Sequence, residues 1–174
     1  MNKAEKRAAN IELIPASPAL KPVLSNLLEL YTHDFCDFLD LELRPDGRFG
    51  YKDLDLYWTD PVRHPLLLYV DGKLAGFVLI KRSESRIAGR TVWDMVEFFI
   101  LRSYRRHGIG TRVAHQAFSR FPGHWEVRVM ESNRAAYSFW GHATRLFAGE
   151  SVQTSRVRRD DRMWYVFSFE SGES

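Results

Sequence analysis

The densest chemical signal in the 174-residue chain is the segment from Val96 to Thr111, which reads Val96-Glu-Phe-Phe-Ile-Leu-Arg-Ser-Tyr-Arg-Arg-His-Gly-Ile-Gly-Thr111. An apolar strand runs into a basic turn, and two glycines then open an amphipathic helix. Unpaired backbone N–H groups at a helix N-terminus point outward, and the helix dipole favours negative charge there, so the segment reads as an anion cradle. Gly108 and Gly110 would let the main chain approach a ligand closely, and Arg105, Arg106 and His107 surround the same place. A P-loop is excluded because no Gly-Lys-Ser/Thr follows. The dinucleotide fingerprint fails too, with only two glycines after a basic turn. Glu97 interrupts the apolar strand. Burial there would raise its pKa and suit it to accept a proton, unless a neighbouring arginine satisfies it as a structural pair.

The surrounding elements must hold this segment in place. Ile11 to Ile14 reads as a first strand, and Pro18 to about Tyr31 as a helix with Leu20, Leu24, Leu27, Leu28 and Tyr31 at helical spacing. The stretch from Asp34 to Pro61 is acidic and aromatic, a short helix plus loop. Leu66 to Val70 and Leu74 to Lys81 flank Asp71-Gly72, a hairpin signal. Val92 to Leu101 is apolar on both faces, as a central strand should be. A helix follows from Gly108, with an apolar stripe of Ile109, Val113, Ala114, Ala117, Phe118 and Phe121 that Pro122-Gly123 ends. Trp125 to Met130 alternates as a strand, Asn133 can cap another helix, and Ser151 to Val157 and Arg162 to Phe169 are two more strand candidates. The order is that of a mixed α/β domain.

Two motifs carry a family resemblance. Arg105-x-x-Gly108-x-Gly110, on the exit of a strand ending Phe98-Phe99-Ile100, is similar to the pyrophosphate-binding signature of the GNAT superfamily of acetyltransferases. Downstream, the stretch from Glu126 through Asn133, Ala136 and Phe139 to Trp140 resembles its second motif, a strand leading to Asn-x-x-Ala-x-x-Phe-Tyr. The order of elements also resembles the family fold from about Ile11 to Phe169. The resemblance implies a mixed, mostly antiparallel twisted sheet of six to seven strands flanked by about four helices, splayed between the fourth and fifth strands. It implies one domain over 1–174, with flexible ends at about 1–9 and 170–174.

It implies acetyl-CoA as co-substrate and a primary amine as acceptor, a small molecule or a protein N-terminus, with an acceptor site between the early helices and the late hairpin. The backbone of Phe98, Phe99 and Ile100 would pair with the pantetheine arm. Arg105 would flank the cofactor, and the amides of Arg106, His107, Gly108, Ile109, Gly110 and Thr111 would hold the pyrophosphate. Asn133 would contact the cofactor, cap its helix, or both. Glu97 stands where many family members carry an acidic catalytic residue, with Glu126 the second candidate base and Asp94 the third. The family's usual tyrosine, often the acid toward the leaving thiolate, is Trp140 here. Indole cannot serve, and Tyr137, one turn earlier, is either a substitute acid or a packing residue. A non-catalytic acetyl-CoA-binding or regulatory module is the alternative reading.

Composition bounds the remaining classes. Residues 31–60 carry eight acids against three bases, and residues 101–170 carry twelve arginines against six acids. That asymmetry suggests an anionic ligand near the second half and a cationic one near the first, or simply two solvated surfaces of opposite sign. No apolar run approaches the roughly 20 residues of a membrane helix, so no membrane partner is expected. Six histidines show no metal spacing, and no metal is expected. Nucleic acid is not expected as a partner, because the cluster of Arg156, Arg158, Arg159 and Arg162 is mixed with Asp160 and Asp161. The single cysteine, Cys36, reads as a core residue, and its solitude suits a reducing, cytoplasmic setting. A homodimer is one assembly the chain could form.

Overall fold

The computed structural model describes residues 8–85 and 87–172. One seven-stranded sheet runs through them. Its strands are β1 (Ile11–Pro15), β2 (Arg63–Val70), β3 (Lys73–Glu84), β4 (Thr91–Ile100), β5 (Gly123–Met130), β6 (Gln153–Arg159) and β7 (Arg162–Ser171). The spatial order is β1-β2-β3-β4-β5-β7-β6, antiparallel except for the β4–β5 pair. The helices are α1 (Lys21–Phe35), α2 (Leu56–Thr59), α3 (Ile109–Arg120) and α4 (Arg134–Ala148). No helix among the described residues is long and apolar enough to cross a membrane.

The helical stripes read from the sequence dock on opposite faces of this sheet. Val113, Ala117 and Phe118 of α3, with Trp140 and Ala143 of α4, pack on Trp125, Val127 and Phe167. Leu24, Leu27 and Leu28 of α1 pack with Tyr57 of α2 on Leu67, Phe77 and Leu79. A strand buried on both faces sits between them, which is why β4 reads as a nearly unbroken apolar run.

Two departures from regularity shape β4. Its register with β3 slips by one residue: Leu79 opposes Glu97 while Ile80 opposes Met95, so Val96 is an extra residue, a β-bulge. On its other edge, β4 pairs with β5 only from Trp93 to Met95, opposite Trp125 to Val127. Beyond Met95 the two strands part, and that edge of Val96–Ile100 has no strand partner among the described residues. This is the splay expected between the fourth and fifth strands.

Three local expectations change. Residues 1–7 and 173–174 of the expected flexible ends lie outside the described residues, but Glu170 and Ser171 belong to β7. Ser171 is buried and donates its hydroxyl to the Phe118 carbonyl (2.7 Å), so the last turn of α3 ties that end down. Cys36 is exposed and not in the core, because it caps the C-terminus of α1 where the chain leaves the sheet. The short helix of the acidic stretch is α2, formed only after a loop that runs from the end of α1 to Asp55.

Candidate active site

Glu97 is held at the parting of β4 and β5. Met95, Phe98 and Ile100 pack into the α3–α4 cluster, while Val96 and Phe99 pack into the α1–α2 cluster. The extra residue at Val96 resets the alternation, so Glu97 shares the α1 side with Val96 and meets two tyrosine hydroxyls there. Tyr31 of α1 donates to Oε2, and Tyr51 donates to Oε1 at 2.8 Å. Tyr51 comes from the loop before α2, and α1 fixes that loop. Glu29 accepts the amides of Phe49 (2.7 Å) and Gly50 (3.1 Å), and Arg48 donates to Ser25 Oγ (2.7 Å).

Burial pushes the Glu97 carboxyl above its ordinary value, and this outweighs the opposing hydrogen bonds from Tyr31 and Tyr51 and the nearby charge of Arg128. Both tyrosines are pushed up as well, first by burial and then by the Glu97 charge, so they remain donors. The result is a carboxylate held by neutral hydroxyls, with a raised proton affinity.

Glu97 lines a cavity of about 450 Å³, a volume in the range of ordinary small-ligand sites. Its floor is the parted strands, with Val127 to Met130 opposite Met95 to Phe98. The cavity is also lined by Asn133, Ala136 and Trp140 of α4, by Phe35, Leu39, Leu41 and Lys52 from α1 and its loop, and by Arg162 and Trp164 from β7.

Beside this cavity, the turn after β4 presents the cradle. Gly108 takes a left-handed conformation (φ 73°) and caps α3, with Arg106 also at positive φ (65°). Arg112 is the first residue whose amide finds a main-chain acceptor, the Gly108 carbonyl at 3.2 Å. The amides of residues 106–111 have no main-chain acceptor among the described residues. The two glycines answer to different constraints. A Cβ on Gly108 would meet nothing within 4 Å, so that glycine serves backbone conformation. A Cβ on Gly110 would come within 3.1 Å of the Phe139 ring, so this one serves the packing of α3 on α4.

Several predicted residues take positions that pattern alone does not fix. Arg105 turns inward: its Nε donates to the Ile100 carbonyl (2.6 Å), its Nη2 to Asp34 (2.7 Å), and it lies 5.6 Å over the Phe99 ring. Arg102 donates to the other Asp34 oxygen (2.7 Å). Burial would raise the Asp34 carboxyl, but these two guanidinium groups prevail and hold it low. Arg106 and His107 stay exposed. Asn133 caps α4, its Oδ1 accepting the Ala136 amide at 3.0 Å, and it also lines the cavity.

Glu126, the second candidate base, is buried at the paired end of β5, accepts from Ser85 and stands in register with Asp94. It does not line the cavity. Asp94 is claimed by Arg128 through two bonds of 3.1 and 3.0 Å. Tyr137 also lies outside the cavity, its ring 4.5 Å from Tyr165 and 5.5 Å from Phe167, whereas Trp140 lines it. The acids of residues 31–60 are not at the cavity either: Asp34 is used as described, and Asp55 pairs with Lys21. Among the described residues no three of His, Cys, Asp and Glu group to hold a metal.

The sequence places Tyr31 on the stripe of a helix and Tyr51 within the acidic and aromatic stretch. Neither is marked there as a partner of Glu97, and nothing in the spacing of residues 66 and 46 positions apart signals such a contact.

Comparison with known proteins supplies an independent line. Residues 25–143 match the acetyltransferase (GNAT) family. Among curated proteins none matches the sequence significantly. Among solved structures, an acetyltransferase from Thermus thermophilus aligns with a TM-score of 0.65 at 18% identity, over 92% of this chain and 97% of that one. A spermidine N-acetyltransferase from Vibrio cholerae, in complex with CoA and spermine, aligns with a TM-score of 0.61 at 11% identity, over 92% and 95%. Arabidopsis thaliana NAA60, in complex with a bisubstrate analogue, aligns with a TM-score of 0.57 at 16% identity, over 95% and 100%. At these identities the likeness is one of fold.

Proposed function

The chain belongs to the acetyltransferase (GNAT) family, and on that premise we propose that it moves the acetyl group of acetyl-CoA to a primary amine, with Glu97 as the general base. The observation that carries this reading is the position of Glu97. It is a carboxylate of raised proton affinity, at the point where β4 and β5 part, in a cavity that also holds Asn133 and Trp140.

The residues fit the co-substrate. The unpaired edge of Phe98, Phe99 and Ile100 offers main-chain groups to an amide-containing arm, as an added strand would use them. The open amides of residues 106–111 suit a pyrophosphate, with Arg106 and His107 exposed beside them. Arg105 contributes by holding the turn rather than by meeting phosphate.

Acetyl-CoA supplies an activated acyl carbon, so the protein has three tasks: orientation, proton removal and stabilisation of the carbonyl oxygen. The amine nitrogen forms a bond to the acyl carbon and the C–S bond breaks. The proton lost by the amine passes to Glu97, and the sulfur leaves as a thiolate that takes one proton back. Tyr31 and Tyr51 keep the carboxylate oriented. Main-chain N–H groups on the unpaired β4 edge are the donors at hand for the carbonyl oxygen.

Acetyl-CoA should raise Tm by mass action on the folded state. Gly108→Asp places a negative charge at the cradle in a conformation that Asp tolerates, without a clash. It should cut acetyl-CoA affinity about tenfold or more, while Gly108→Asn, its neutral counterpart, should not. Equal Tm shifts for wild type and the folded Asp variant would remove the pyrophosphate from this turn.

A further inference from the structure

Tyr51 reaches Glu97 from a segment with few ties to the fold. Residues 44–48 form a turn bonded mainly to itself: the Arg44 amide donates to the Arg48 carbonyl (2.8 Å), the Gly47 amide to the Arg44 carbonyl (2.9 Å) and the Arg48 amide to Asp46 (3.1 Å). Among the described residues, every hydrogen bond from residues 40–50 to the rest of the fold runs to α1, to Glu29 or Ser25.

Glu29 carries most of that hold. Its two carboxylate oxygens accept the consecutive amides of Phe49 and Gly50, and Oε1 also takes Arg48 Nε at 3.4 Å. The next residue in the chain is Tyr51, whose hydroxyl meets Glu97. A carboxylate on main-chain N–H groups makes charge-assisted bonds, stronger and shorter than neutral ones. The Tyr51 ring also packs against the α1–α2 cluster. Apolar burial is non-directional, however, and does not by itself aim a hydroxyl.

Resting on the acetyl-transfer reading, we infer that Glu29 is a positioning residue of the site: by gripping the main chain of Phe49 and Gly50 it aims the Tyr51 hydroxyl at the Glu97 carboxylate. Glu29 does not line the cavity and acts through the loop alone. The charged and titratable groups around Glu97 are Tyr31 of α1, Tyr51, Tyr57 of α2, Asp94 of β4 and Arg128 of β5. Of these, Tyr51 alone follows directly on the segment that Glu29 holds. Tyr31 shares α1 with Glu29, but residues two apart on a helix do not face each other.

The test reads the Glu97 carboxyl directly, by NMR titration of protein isotopically labelled at the glutamate side-chain carboxyl carbons, with Glu97→Gln assigning the signal. The Tyr51 bond favours the charged form, so Glu29→Ala should raise the Glu97 pKa, in the direction of Tyr51→Phe and by no more. Added to Tyr51→Phe it should raise it no further, whereas added to Tyr31→Phe its effect should persist, the pattern of one shared path. Glu29→Gln keeps one acceptor oxygen for two amides and should shift the titration less; it carries the test if Glu29→Ala fails to fold. In a thiol-release assay with acetyl-CoA and phenethylamine or spermidine, the acid limb of kcat/KM should move up in step. The rate at neutral pH should fall about threefold and recover at higher pH. A Glu97 titration unmoved in the folded Glu29 variants would overturn the inference, as would a shift that persists in full on the Tyr51→Phe background. The titration decides whether or not either amine is acetylated, and absence of turnover with any amine would count against the acetyl-transfer reading instead.

Discussion

Asp94 and Glu97 stand three residues apart on one strand, and their surroundings assign them opposite tasks. Asp94 is 1% exposed and held by both arms of the Arg128 guanidinium, at the end of β4 that is hydrogen-bonded on both edges. Glu97 lies past the bulge, where β5 has diverged, and its partners are neutral hydroxyls beside a cavity. A carboxylate bonded twice by a partly buried guanidinium is spent on structure, because removing either partner leaves the other charge uncompensated. One held by neutral donors beside open space can gain and lose a proton. The comparison teaches that the position of the strand's parting, more than the residue type, separates an acid paired with a cation from one left beside a cavity.

The largest expected effect is on Glu97. Glu97→Gln keeps the volume and can still bond both tyrosines, yet it cannot take a proton, so turnover should fall roughly 10²- to 10³-fold with acetyl-CoA binding retained. The acid limb of the pH–rate profile should vanish with it. Glu126→Gln is the matched control, since Glu126 shares burial and raised proton affinity, which burial causes first, but not the cavity. Its rate should stay within about threefold of wild type. A large loss in Glu126→Gln with a small one in Glu97→Gln would reverse the assignment.

For Asp94 the effect should be on stability. Asp94→Ala leaves the Arg128 guanidinium partly buried without its partner, a change that costs on the order of 3 kcal/mol. Chemical denaturation should report it as a lower midpoint with an unchanged slope. A variant as stable as wild type would show that the pair is not what holds that end of the sheet.

A smaller effect should follow from the tyrosines. Their hydrogen bonds favour the charged form of Glu97, so removing either hydroxyl raises its pKa further. The base must be ionised to act, and the acid limb of kcat/KM should therefore move to higher pH in Tyr51→Phe and in Tyr31→Phe. At neutral pH the rate should drop about fivefold, recovering as pH rises. A shift toward lower pH, or a loss that alkaline pH does not rescue, would mean the tyrosines act in some other way.

How much of this could be read from the chain differs by kind of feature. β4, α3 and the Asn133 cap were legible because period, glycine placement and capping are local properties of sequence. The acid at position 97 was legible as an interruption of an apolar run. Its partners were not, because Tyr31 meets it only after α1 has docked on the sheet and the extra residue at Val96 has reset the alternation. A bulge of this kind has no residue signature, as valine suits a regular strand equally well. The partners of the acidic stretch were illegible for a related reason: composition counts charges, while the fold assigned Asp34 to the arginines of the turn and Asp55 to a lysine. The bonds of Arg105 to the Ile100 carbonyl and to Asp34 were likewise not legible in the motif.

The smallest effect should come at Tyr137, and it sharpens the comparison by asking whether any second proton donor is needed. Tyr137 packs against Tyr165 and Phe167 of β7 and does not line Glu97's cavity, while Trp140, which does line that cavity, packs 4.9 Å from Phe98 and 4.8 Å from Phe139. A ring packed on β7 and outside the cavity lining is expected to serve packing, and a CoA thiolate leaves readily without an acid. Tyr137→Phe keeps the ring and should change kcat and KM by less than about twofold. Tyr137→Ala, which removes the ring, should cost about 1 kcal/mol or more of stability through lost aromatic contacts. Trp140→Tyr tests the remaining possibility from the other side, by placing a phenol in the cavity wall. If transfer is limited by thiolate departure, that variant should be faster than wild type; if amine deprotonation at Glu97 is limiting, it should be no faster. A tenfold loss in Tyr137→Phe with an unchanged fold would instead put the donor on α4 after all.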